Sequence, residues 1–164
     1  MTALEAKNTL WEIIQKEFQE YEKYFNILTN KKATILNDPN NLDLLNDIIK
    51  KEEKKISEVK KLEKDRNYIL KKYASLSGKK EGSLRFSDIF TEDNKSEFLK
   101  KFKTIVTDAY YLNDEIKLLS NYMLKMNVTI IKGIYKSLKK LTYSRDKQSE
   151  SKKKQSFNLV DLRA

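Results

Sequence analysis

The stretch KSEFLKKFKTIVTDAYYLNDEIKLLSNYMLKMNVTIIKGIYKSLKKLT, from Lys95 to Thr142, decides the fold. Its apolar residues fall at Phe98, Phe102, Ile105, Ala109, Leu112, Ile116, Leu119, Met123, Met126 and Ile130. Steps of four and three alternate without a break, which sets these side chains along one side of an α-helix. Beyond Ile130 the stripe shifts to Ile134, Leu138 and Leu141. As one helix the stretch would be about 70 Å long at 1.5 Å per residue. A helix of that length with one apolar side is not stable alone in water, so other helices are expected to cover it.

Two such helices lie upstream. The first carries Leu4, Trp11, Ile14, Phe18, Tyr21, Phe25, Leu28 and Ile35 at heptad spacing, with Lys7 and Lys32 at the two remaining seam positions. Lysine stems can lie along such a seam with the ammonium in water. Thr2-Ala3-Leu4-Glu5 reads as a capping box at its start. The only proline sits in Asn37-Asp38-Pro39-Asn40-Asn41, a turn that ends with Asn41 as an N-cap. A second helix follows through Leu42, Leu45, Ile49, Ile56, Val59, Leu62, Ile69 and Tyr73, with Glu52 and Arg66 in its seam. Polar seam residues fix register at a cost in stability. A short turn between two amphipathic helices makes an antiparallel hairpin. The polar run from Ser75 to Arg85, with Gly78 and Gly82, is a loop. Ser87–Phe90 is expected to form one helical turn whose Ile89 and Phe90 plug the hairpin end. Thr91 is the expected cap of the last helix. Gly133 inside that helix marks either a close helix–helix approach or a weak spot.

The expected fold is therefore all-α: an elongated antiparallel three-helix bundle of coiled-coil type with a disordered C-terminal tail. The bundle is expected over 1–143, with helices at about 4–36, 42–74 and 92–142 and a loop at 75–91. With 3 glycines and 1 proline the chain has little turn chemistry for a multistranded sheet. From Ser144 to Ser156 there is no apolar residue, so a flexible tail is expected over 144–164. It ends in an apolar tip at Phe157, Leu159, Val160 and Leu162.

The composition excludes much chemistry. There is no cysteine and no histidine among 164 residues, so thiol nucleophiles, disulfides, zinc clusters and histidine acid–base pairs are unavailable. Acidic neighbours such as Glu52–Glu53, Glu63–Asp65 and Asp114–Glu115 diverge on a helix rather than converge. No phosphate loop or nucleophile motif appears. The chain is expected to be a non-enzyme with no catalytic residues, no metal, no cofactor and no small-molecule substrate. The charged N-terminal run is unlike a signal peptide, and no apolar stretch is long enough to span a bilayer. No membrane insertion is expected, and the expected location is cytoplasmic. Net charge is +10, but the lysines read as a solvated surface interleaved with Glu and Asp, so no nucleic-acid partner is expected. The run Lys152-Lys153-Lys154 reads as part of a solubilising linker.

The candidate binding residues are Met123, Met126, Ile130, Ile134, Leu138 and Leu141. Together with Ile131 and Tyr135 they spread over more than one helix face. Such Met-rich apolar surface suits an amphipathic partner helix, with ordinary core as the alternative. Phe157, Leu159, Val160 and Leu162 form the candidate clamp.

Several segments are similar to the FlgN family of flagellar export chaperones. They are NLDLLNDIIKKEE, Leu62-Glu63-Lys64-Asp65-Arg66, Asn121-Tyr122-Met123-Leu124, Leu141-Thr142-Tyr143 and the closing Val160-Asp161-Leu162-Arg163-Ala164. Leu118 stands where the family pattern has Asn, and Ser144 where it has Gly. The resemblance implies a cytoplasmic chaperone, a monomer or weak homodimer, that binds the terminal helices of flagellar hook-associated proteins. It would prevent premature assembly and deliver them to the type III export gate, with Tyr143 contacting the gate's cytoplasmic domain. Two other readings are a homo-oligomeric coiled-coil scaffold and a basic helical nucleic-acid-binding module.

Overall fold

The computed structural model describes the backbone of residues 1–80 and 84–160 and the side chains of 1–80 and 84–139. The chain forms α1 (Ala3–Asn37), α2 (Leu42–Leu76), the one-turn α3 (Phe86–Ile89) and α4 (Asp93–Val160). No strand occurs among the described residues. The helices are set by local signals. The Thr2 N–H donates to the Glu5 carboxylate at 2.7 Å while the Glu5 N–H donates to Thr2 Oγ1 at 3.2 Å, closing the capping box. The Leu44 N–H donates to Asn41 Oδ1 at 3.1 Å, so Asn41 caps α2. At the other end of α2, Gly78 takes φ +64°. The Lys79 N–H then reaches the Ala74 carbonyl and the Gly78 N–H the Ser75 carbonyl, a Schellman ending. Thr91 does not cap α4, which begins at Asp93. Glu92 stands at the cap position instead, and its carboxylate pairs with Lys95 at 3.3 Å and Lys7 at 3.6 Å.

The chain divides into two compact units, Met1–Leu118 and Leu119–Ala164. In the first, ion pairs show the relative directions of the three long helices. Arg66 meets Glu17 and Glu52 meets Lys31, so α2 runs antiparallel to α1. Lys7 meets Glu92 and Lys32 meets Glu115, so α4 runs parallel to α1. The result is the expected up–down–up bundle of three helices. Five residues after Lys32, α1 ends at Asn37, level with the end of this unit.

Leu10, Ile14, Leu28 and Phe90 are fully buried, and Phe102, Ala109 and Ile116 carry the α4 stripe into the same core. Because α1 touches two helices it buries two stripes. One is Ala6, Leu10, Ile14, Tyr21, Leu28 and Ile35. The other packs aromatic rings on α4: Trp11 on Phe98 at 5.2 Å and Phe18 on Phe98 at 4.9 Å. Leu4 and Leu42, expected in the seams, are exposed; each lies in the first turn of its helix, at the end of the paired length. Ile89 and Phe90 are buried, with Phe90 against Trp11 at 5.0 Å, so α3 does close one end of the bundle.

In the second unit the backbone of α4 runs without interruption through Gly133 and past Thr142 to Val160. The run Ser144–Ser156 holds neither Gly nor Pro, and its Lys, Gln, Glu and Arg are good helix formers. The expected tail falls where side chains, and beyond Val160 the backbone too, lie outside the described residues. A Cβ added at Gly133 would meet nothing within 4 Å, so this glycine marks no close approach. Gly133→Ala is expected to stabilise the helix by about 1 kcal/mol, read as greater helicity and slower amide exchange around residue 133. A loss of helicity would mean that the glycine serves a contact.

Candidate functional site

Two features stand out: an apolar face on α4 and a ladder of buried and part-buried charges inside the first unit. The face comes from the same stripe that builds the bundle. Phe102, Ala109 and Ile116 are buried, but Met126, Ile130 and Ile134 are 46%, 53% and 56% exposed. Leu138 is exposed as well, and Met123 is half-buried. Ile131 and Tyr135 widen the face. Among the six candidate binding residues of α4, these five share one helix side. Leu141, Tyr143, Phe157, Leu159 and Val160 belong to α4 by backbone, but their side chains lie outside the described residues, as does all of Leu162. Whether the tip folds over the face is therefore outside the described residues too.

The charge ladder runs between α1 and α2. Arg66 Nη1 donates to Glu17 Oε1 at 2.6 Å, the Tyr21 hydroxyl donates to Glu63 at 3.0 Å, and Lys31 donates to Glu52 at 2.6 Å. Lys55 bridges Glu20 and Glu58. Glu52 and Arg66 are the polar seam residues of α2, and each meets its partner on α1. Glu17 is fully buried and was not legible as a core residue. Its spacing of three from Ile14 and four to Tyr21 is the signal that could have found it.

Burial drives the Glu17 carboxyl up to about 7; the Arg66 guanidinium pulls it down, and the Glu63 charge adds to the rise. Glu17 Oε2 and Arg66 Nε have no hydrogen-bond partner. The Arg66 guanidinium also lies over the Phe86 ring of α3 at 5.7 Å. Burial, then the neighbouring Glu63 charge, raises the Tyr21 hydroxyl. Tyr24 is pushed up to about 12 by burial, with the Glu52 and Tyr110 charges adding to it. Tyr21, Tyr24 and Tyr110 line a cavity of about 200 Å³ between the three helices, floored by Ile56, Val59 and Ala109.

The ion pairs of the ladder join α1 to α2 within the bundle and match their register. Among the described residues, no group of three or more acidic side chains is placed to hold a metal ion. No helix among them is long and apolar enough to cross a membrane. What the arrangement offers a partner is the α4 face. Compared with protein-family models, curated proteins and solved structures, the chain matches none.

Proposed function

We propose that this protein is a cytoplasmic export chaperone of the flagellar type, with the α4 face as its client site. The observation that carries the proposal is the run of exposed apolar side chains at Met126, Ile130, Ile131 and Ile134. Burying a large apolar side chain is worth about 1.5–3 kcal/mol, so a partner helix laid on this face has ample driving force. Terminal helices of hook-associated proteins, disordered before assembly, would offer the matching apolar side. Folding on binding lowers net affinity and favours release at the export gate. In this reading the apolar tip (Phe157, Leu159, Val160, Leu162) clamps the client, and Tyr143 contacts the gate. The segments similar to the FlgN family support the same reading.

Co-purification of the full chain with hook-associated proteins, with and without their terminal helices, tests it. Capture is expected only when those helices are present. The double variant Ile130→Asp/Ile134→Asp is expected to weaken it at least tenfold, a loss of about 1.4 kcal/mol or more. Equal capture without the terminal helices, or by the double variant, would refute the proposal.

A further inference from the structure

We propose that residues 119–139 of α4 also bind the surface of an anionic lipid bilayer, lying in the interface plane rather than across it. From Ile116 to Arg145 the sequence holds no Asp or Glu, although the chain has 24 of them. The interleaving of charges expected along every helix therefore fails here. Earlier on α4, Lys101 pairs with Glu97 and Lys117 with Asp114, each about one turn away. Lys125, Lys132, Lys136 and Lys139 have no carboxylate within one turn on either side.

Helical geometry then sorts the side chains. At about 100° per residue, these four lysines fall within an arc of about 60°. Leu119, Met123, Met126, Ile130, Ile131 and Ile134 fall within about 140° on the opposite side, which also holds the uncharged Ser120, Asn127 and Ser137. Tyr122 and Tyr135 stand one on each side of the lysine arc, and both are exposed. Amphipathic rings at such borders suit the headgroup level of a bilayer. A wide apolar face and an opposite arc whose only charged side chains are lysines are the features of a helix that rests on a membrane. No helix among the described residues is apolar enough to cross one.

The position of the lysines selects a bilayer over an acidic protein partner. A partner helix seated on the apolar face meets charges at the rims of that face. Here the lysines stand opposite its centre, out of such a partner's reach. A bilayer differs because the helix sinks its apolar face about 5–10 Å into the headgroup region, so anionic headgroups stand along both flanks and reach toward the lysines. Bilayer binding does not depend on the chaperone reading. Where both hold, the face takes one occupant at a time, and client and bilayer compete for it.

Vesicle co-sedimentation of the full chain tests the inference, using phosphatidylcholine alone and phosphatidylcholine with about 30% phosphatidylglycerol, a composition giving a strong negative surface potential. Binding is expected to the anionic vesicles only, and to fall as salt rises. Each cation near such a surface contributes up to about fivefold in affinity, less at a screening length from it, and Lys→Glu changes the charge by two. The variant K125E/K132E/K136E/K139E is therefore expected to lose on the order of a hundredfold or more. Glutamate is a helix former as good as lysine, so circular dichroism should not change. Equal binding to both vesicles, binding to neither, or full binding by the variant would overturn the inference. Capture of an acidic amphipathic peptide without vesicle binding would overturn it in favour of a protein partner. If the variant fails to fold, the unmodified chain on the two vesicle types still decides. The client assay contains no lipid, so failure of one proposal is distinguishable from failure of the other.

Discussion

Phe90→Ala is expected to lower the unfolding free energy of the protein by about 3–5 kcal/mol. Phe90 is fully buried, packs on Trp11 at 5.0 Å, and carries the Lys95 and Lys7 ammonium groups over its ring at 5.6 and 5.7 Å. It follows a helix of only four residues, α3, which it ties to α1. Truncation removes the transfer energy of the ring and leaves a cavity between stiff helices that cannot fully collapse. Trp11 is the only tryptophan and touches the site, so its fluorescence during urea unfolding reports the loss directly. Tyr111→Ala, at an exposed position of α4 in the same unit, is expected to change stability by less than about 0.5 kcal/mol. Equal effects of the two variants would contradict the packing described.

Glu17 should make stability fall as pH rises. Its carboxyl is raised from 4.5 to about 7 in the folded chain, first by burial. The folded state therefore binds a proton that the unfolded state has released in this window. The contribution is fully present below about pH 4.5 and is lost as pH rises through about 7. The loss is about 3 kcal/mol, because a tenfold change in proton affinity is worth about 1.4 kcal/mol. Glu17→Gln keeps a carbonyl acceptor for Arg66 but cannot ionise, so it removes this slope. Urea midpoints from pH 4.5 to 8 should show the unmodified chain losing stability relative to Glu17→Gln across that range. A constant difference between the two proteins would show that Arg66 holds Glu17 ionised throughout.

The heptad stripes made the three helices, their order and their turns legible, because a period of three and four admits little besides a helix with one covered side. Thr2, Glu5, Asn41 and Gly78 added boundaries through local hydrogen bonding. The stripes served less well where one helix meets two neighbours. On α1 they pointed to Leu4, whereas Ala6 and Leu10 are buried. Glu17 was missed because a carboxylate reads as surface until its partner is known, and Arg66 stands 49 residues away on the antiparallel α2. The α4 face was legible as apolar residues. What the stripe alone did not reveal is where cover ends. That depends on the register of α1 against α4, fixed by pairs such as Lys32–Glu115.

The central claim is that the exposed apolar side chains Met126, Ile130, Ile131 and Ile134 of α4 serve a partner and are not part of the folding core. The direct measurement is the urea midpoint of Ile130→Asp/Ile134→Asp, followed by Trp11 fluorescence at two protein concentrations. The expected result is an unfolding free energy within about 0.5 kcal/mol of the unmodified chain at both. A loss of more than about 2 kcal/mol, the scale of disrupting buried core, would contradict the claim.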